Sequence, residues 1–170
     1  MNWTAQIIGA AGSLCAIVSA QFKRRKHLML MQLLSCVFLI LHYTMLGALT
    51  GAVSGGISLL RVLLFSANRS WAKKPVCLWS VLLLCTLNVA ITWHGVASLL
   101  AGIASCCTTL ALWNKDMQRT RLWFLADAPC WLVYNILVHS LSGIIAEVIA
   151  MISYSIAIVR LDLAKRNNVD

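Results

Sequence analysis

Few side chains in this sequence can carry chemistry, and most of those stand inside long apolar runs, where an ionisable group is costly by at least a few kcal/mol. Asp127 lies about five residues into an apolar run, roughly 7 Å deep at 1.5 Å per residue. It is followed by Ala128-Pro129, and a proline there frees a backbone acceptor and tends to kink a helix. A carboxylate beside freed backbone suits a solute or proton site. Arg61 stands at a comparable depth in another run, so the two could pair; the alternatives are a purely structural salt bridge or hydration for Asp127, and snorkelling to headgroups for Arg61. Glu147 stands one turn into the last run, near the positive end of a helix dipole, which by itself lowers its cost. His42 and His139 could converge on it, and two imidazoles with a carboxylate can relay protons. Their separation in sequence is too long to count as a metal motif, and no metal or cofactor is expected.

Trp131, Tyr134 and Asn135 are three and four residues apart and so share one helix face. With Asn88 they offer an aromatic platform and carboxamides for a small polar or aromatic solute. Tyr154 lies at a similar depth. Helix packing with interhelical hydrogen bonds is the alternative use of these residues. On the first reading Trp131, Tyr134, Asn135 and Asn88 bind substrate, Asp127 and Arg61 form one gate, and Glu147 with His42 forms the other.

The elements that hold them follow from composition. The chain has 170 residues, 61% hydrophobic and only 11% charged, with a mean hydropathy of +0.83, too apolar for a water-soluble domain. Apolar runs give helices near 2–22, 28–47, 50–67, 75–93, 96–113, 122–139 and 142–160, each close to the roughly 20 residues that cross a bilayer. This predicts one all-α transmembrane domain, 1–170, of seven spans. Lys23 to Lys26, Arg69, Lys73, Lys74, Lys115, Arg119, Arg121, Lys165 and Arg166 fall in alternate connections or the tail, and Arg61 and Arg160 lie toward the same side. The connections between contain no lysine or arginine. The positive-inside rule then puts the N-terminus out and the C-terminus in. The formal net charge of +9 is thereby a matter of topology and calls for no nucleic acid.

Asn2 to Phe22 has its basic cluster after it, the reverse of a signal peptide, and is expected to remain. The seven cysteines lie in apolar runs without a CxxC pair and read as small packing residues. Trp3 and Trp93 fall near outer ends, and Trp71, Trp79, Trp113 and Trp123 near inner ends, as interfacial anchors do. Trp131 falls at mid-membrane, where its indole N–H needs a partner or a polar cavity.

Laid over itself with a shift of 92, the chain aligns Ala5, Ser13, Cys15, Lys23, Gly51 and Ile57 with Ala97, Ser105, Cys107, Lys115, Gly143 and Ile149. Ala5-Gly9-Ser13 overlays Ala97-Ala101-Ser105, small residues four apart that permit close helix approach. Gly51, Gly55 and Gly56 with Ser54 and Ser58 make the third helix thin, suited to the bundle interior. The expected organisation is two parallel three-helix units, 1–70 and 96–162, joined by a linker helix, 75–93, in a 3+1+3 arrangement.

Leu41-His42-Tyr43, Leu46-Gly47, Gly51-Ala52, Arg61, Trp113, Met117 and Arg119, with Trp131 to Asn135, His139-Ser140, Gly143, Glu147 and Ile158 to Arg160, make the sequence resemble the YgjV-like family of bacterial inner-membrane proteins. The resemblance implies a multi-pass protein of the bacterial inner (cytoplasmic) membrane, and no particular activity. Its architecture also resembles, distantly, the SWEET, SemiSWEET and PQ-loop transporters. Helix one lacks their Pro-Gln pair, Gln21 following Ala20 instead, so no substrate residue is carried over.

No HExxH, GxSxG, Walker or dinucleotide motif occurs, which argues against an enzyme. The function expected is a small-solute transporter or facilitator, SWEET-like in its alternating access, with its site between the two units. The alternative is a non-transporting membrane subunit or sensor with purely structural helix packing. Expected partners are the lipid bilayer and an unidentified small polar solute, with a homodimer as an allowed assembly. A reporter fused after Asp170 should read cytoplasmic and one inserted at His94-Gly95 periplasmic; a periplasmic C-terminus would end the seven-span count.

Overall fold

The computed structural model describes residues 3–67 and 74–163. Among the described residues seven α-helices follow one another: α1 (Trp3–Ser19), α2 (Arg25–Met45), α3 (Leu49–Ser66), α4 (Pro75–Ile91), α5 (Val96–Trp113), α6 (Met117–Leu137) and α7 (Leu141–Ile158), the last running on into a π-helical turn (Val159–Leu163). Among the described residues four segments are long and apolar enough to cross a membrane, namely α2, α3, α5 and Leu141–Leu161; α1 and α4 are apolar but shorter. The remaining helix, α6, carries Arg119, Arg121 and Asp127.

Burial is inverted relative to a protein in water. Ile91 is 81% exposed and Trp79 68%, whereas Ser19, Thr109 and Thr120 are fully buried. Apolar side chains on the outside and polar ones within are what lipid as solvent demands, because hydrocarbon accepts the former and offers no hydrogen bond to the latter. None of the seven cysteines is exposed, as expected of small packing residues.

Six helices close a ring in the order α1, α2, α3, α5, α6, α7 and back to α1, while α4 lies against α3 and α5. The starts and ends of α6 and α7 fall 92 residues after those of α2 and α3. The turns repeat as well. Leu46, Gly47 and Ala48 donate backbone hydrogen bonds to His42, Thr44 and Tyr43, and Val138, His139 and Ser140 donate to Tyr134, Ile136 and Asn135, each pair offset by 92. Both α2 and α6 thus end with a left-handed residue whose successor bonds back five positions, a Schellman closure. That residue is Gly47 (φ 69°) in one and His139 (φ 54°) in the other.

Interhelical bonds repeat at the same offset. Ser142 N–H donates to Gln6 Oε1 at 2.9 Å, joining α7 to α1; at the equivalent positions Thr50 and Ser98 hydroxyls meet at 3.0 Å, joining α3 to α5. At the other end of the ring, Arg25 donates to the carbonyls of Asn114, at 2.5 Å, and Leu112. Arg121 donates to Ala20 O at 3.1 Å and Phe22 O at 3.4 Å. The acceptors again lie 92 apart. Each arginine reaches over the ring to the C-terminal carbonyls of the first helix in the opposite half, where the helix dipole also favours a cation.

Two expectations need correction. Helix α6 begins at Met117 rather than near 122, because Asp116 caps it by accepting from Gln118 N–H at 3.0 Å. Arg25 and Lys26 open α2, and Arg119 and Arg121 lie within the first two turns of α6, so all four stand in helices instead of connections. Arg69, Trp71, Lys73, Lys165 and Arg166 lie outside the described residues. The described basic ends are nevertheless gathered on one side, since Arg25 meets the end of α5, Arg121 the end of α1, and Arg160 donates to Gln21 at 3.1 Å.

The paired turns yield a test. A Cβ at Gly47 would meet nothing within 4 Å, so the cost of Gly47→Ala is the left-handed backbone alone, about 1 kcal/mol. His139→Gly, at an exposed position, should stabilise by a similar amount. Thermal denaturation in detergent reads both, and opposite signs are expected.

Candidate functional site

The inner faces of the ring enclose a cavity of about 100 Å³, room for several waters or one solute of a few heavy atoms. Its lining follows the repeat. Ala16 faces it with Thr108, Gln32 with Phe124, Ser35 with Asp127, Leu39 with Trp131 and Gly55 with Glu147, every pair 92 residues apart. Shape is thus shared between halves while chemistry is not. The first half supplies small or neutral residues, the second a hydroxyl, two carboxylates and two aromatic rings.

Arg61 is the exception, a charge from the first half. It is 2% exposed and does not snorkel. Its Nη1 donates to Ser105 O and Thr109 Oγ1, both at 2.8 Å, and Nη2 to Ser58 Oγ at 2.8 Å. These bonds hold the guanidinium against α5. Asp127, 5% exposed, accepts at Oδ2 from the Thr108 hydroxyl at 2.5 Å. Among the described residues the one ion pair is Arg119–Asp116, on the surface. Arg61 and Asp127 therefore share the cavity without forming the direct pair that their depths allow.

Glu147 and Tyr154 of α7 line the same cavity. The expected separation into a gate at each end is not what the ring presents, because Glu147 faces the same space as Asp127 and Arg61. His42 is elsewhere. Its Nδ1 donates to Ala5 O at 2.7 Å, and its Nε2 lies 2.8 Å from Ser140 Oγ. A carbonyl can only accept, so in the neutral ring Nδ1 bears the proton and Nε2 accepts from the hydroxyl. Both nitrogens are occupied in tying α2 to α1 and to the start of α7. His139 is exposed and serves the turn after α6, so the two histidines do not converge on Glu147.

Of the four residues expected to bind substrate, Trp131 lines the cavity, which answers its need for a polar space at mid-membrane. Tyr134 and Asn135 pack just beyond it. Tyr43 donates to Asn135 Oδ1 at 3.0 Å, and those two positions are themselves 92 apart. Tyr43, Trp131 and Tyr134 form an aromatic cluster, with Tyr43 stacked on Trp131 at 6.3 Å and Tyr134 edge-on to both. This cluster needs Gly51. A Cβ there would lie 2.5 Å from the Tyr134 hydroxyl and 2.8 Å from the Tyr43 ring. Asn88 lies apart, donating to Ser54 Oγ at 2.8 Å and Thr50 O at 3.4 Å, so it fastens α4 to α3.

Sequence reasoning missed Tyr43, Thr108, Ser35 and Gln32. The signal available was register, since the 92-residue shift places Ser35, Gln32 and Tyr43 over Asp127, Phe124 and Asn135. A larger recess of about 900 Å³ opens at the basic end, lined by Arg25, Lys26, Phe65, Trp113 and Lys115 among others.

Compared with known families, residues 3–165 match a family described as bacterial inner membrane protein. The chain belongs to the Imp-YgjV family. As an Imp-YgjV protein it resides in the bacterial inner membrane, which accounts for its apolar exterior. No curated protein and no solved structure matches it, so the likeness to SWEET-type transporters has no support from these comparisons.

The absence of a direct Arg61–Asp127 pair has a consequence. Removing one partner of a buried ion pair costs about 3–5 kcal/mol. Asp127→Asn retains an acceptor for Thr108 and leaves the bonds of Arg61 in place, so it should cost under about 1 kcal/mol, read as a small change in melting midpoint.

Proposed function

We propose that this protein is a small-solute transporter or facilitator of the inner membrane rather than an enzyme, with alternating access between two three-helix units. The units are α1–α3 and α5–α7, α4 is the linker, and all seven helices cross the bilayer with the N-terminus outside. The observation that carries the reading is the cavity on the ring axis, whose opposite walls come from positions 92 residues apart. A site shared by two related halves suits a mechanism in which one half rocks against the other about a fixed centre. The buried charges favour transport over plain packing, since carboxylates kept inside a membrane bundle mark solute or proton pathways.

Arg61, Asp127, Glu147, Trp131 and Tyr154 form the solute chamber. Tyr43, Tyr134 and Asn135 close it toward the outside, and His42 acts as a tie rather than a gate. The Arg25 and Arg121 braces hold the cytoplasmic end, beside which the larger recess offers an entry.

Proteoliposome flux of a mixed solute library tests this. The wild type should move at least one solute, and Asp127→Asn, while inserted and folded, should reduce that flux by about tenfold or more, the loss of one charge-assisted contact. Flux unchanged in Asp127→Asn would leave the chamber without a role.

A further inference from the structure

The cavity carries an unbalanced charge. Two carboxylates, Asp127 and Glu147, face it against one guanidinium, Arg61. The two terminal nitrogens of Arg61 donate to neutral oxygens of Ser58, Ser105 and Thr109, and its Nε–H has no partner among the described residues. Asp127 is engaged at Oδ2 by Thr108, and its Oδ1 has no hydrogen-bond partner among the described residues. Glu147 likewise has neither ion pair nor hydrogen bond among them. An excess carboxylate in a membrane interior must be neutralised by a proton or a cation.

The rest of the wall distinguishes between cations. Trp131 and Tyr43 present stacked rings on one side, and Phe124 and Tyr154 present rings 5.7 Å apart on another. Aromatic faces attract a cation electrostatically, most strongly where water is excluded. They cannot replace the six or so oxygens that a hard metal ion requires. A guanidinium or alkylammonium ion is more weakly hydrated and sheds its water more readily. Its N–H groups would find acceptors in the free oxygens of Glu147 and Asp127. At about 100 Å³ the space fits an ion of a few heavy atoms and excludes a sugar.

We propose that the cavity binds a small monovalent organic cation of the guanidinium or alkylammonium type, in exchange for the proton that otherwise neutralises its excess carboxylate. The groups facing the exchange are Glu147 and Tyr154 from α7, Asp127 from α6, Arg61 from α3, and Cys36 and Tyr43 from α2; α5 contributes the uncharged Thr108 and α1 the uncharged Ala16. This deepens the transporter reading and rests on it, since it assigns the solute of the same chamber.

The purified full-length protein is titrated with millimolar guanidinium or methylammonium chloride, with sodium chloride at equal ionic strength and the neutral analogues urea and acetamide as comparisons. Melting midpoint and proteoliposome uptake are both followed. The organic cations should raise the midpoint by several degrees in a saturable way, and an imposed outward proton gradient should speed their uptake while an inward one speeds their efflux. Glu147→Gln should stay folded, weaken the cation effect by about tenfold or more and remove its pH dependence. Trp131→Leu should weaken binding of the cations more than it lowers the midpoint of the unliganded protein. Equal stabilisation by sodium, or by urea and acetamide with no response to Glu147→Gln, would overturn the cation assignment while leaving a transporter of other solutes. Failure of every solute to bind or move would overturn both readings.

Discussion

Polar groups inside a bundle surrounded by hydrocarbon have nowhere to turn but inward, and the structure is organised by that constraint. The helices present isoleucine, leucine and tryptophan outward, and their hydroxyls, amides and charges point at one another. His42 with Ala5 and Ser140, Asn88 with Ser54 and Thr50 with Ser98 each fasten one helix to another, and Gln21 with Ser153 fastens the turn after α1 to α7, through bonds that lipid cannot compete for. Packing alone would leave the helices free to slide, because lipid tails are as apolar as leucine. Directional bonds set their register.

The same constraint explains why the two halves keep their bonding positions and diverge in what they place there. Gln6 with Ser142 and Ser98 with Thr50 differ in side chain yet join equivalent interfaces. The turn after α2 uses glycine and that after α6 uses histidine for the same left-handed backbone. At the ring centre the difference is one of charge, since Asp127 and Glu147 stand 92 residues after Ser35 and Gly55.

The two arginine braces show how basic residues can serve topology and packing together. Arg25 belongs to the cluster that the positive-inside rule counts, yet its guanidinium closes the end of α5. Arg121 does the same for α1 from a position one turn further along α6 than the one equivalent to Arg25. The acceptors are conserved between halves because they are backbone carbonyls at helix ends, which every helix leaves unsatisfied. The donor is free to drift by a turn because an arginine side chain is long enough to compensate.

Much of the scaffold was legible in the amino-acid sequence. The apolar runs gave seven helices, with ends misplaced mainly at α6, where charged residues in the first turn disguised a helix that Asp116 had already begun. The 92-residue shift was visible as a faint identity signal, and the ends of α2 and α3 and the bonds of the turn between them recur at that offset in α6 and α7. Membership of a membrane family follows from composition and motif alone. The sequence also singled out Asp127, Arg61, Glu147 and Trp131 as too costly to be idle, since the energetic cost of charge in lipid depends on residue type and depth. What each does was left to tertiary structure. Whether Arg61 pairs with Asp127, whether His42 meets Glu147 and whether Asn88 joins the chamber depend on helix rotation about its own axis, to which hydropathy is blind. Packing turned Asn88 toward Ser54 and His42 toward Ala5, and it turned both carboxylates toward one space. A rotation of a third of a turn would have sent either of them to a different neighbour.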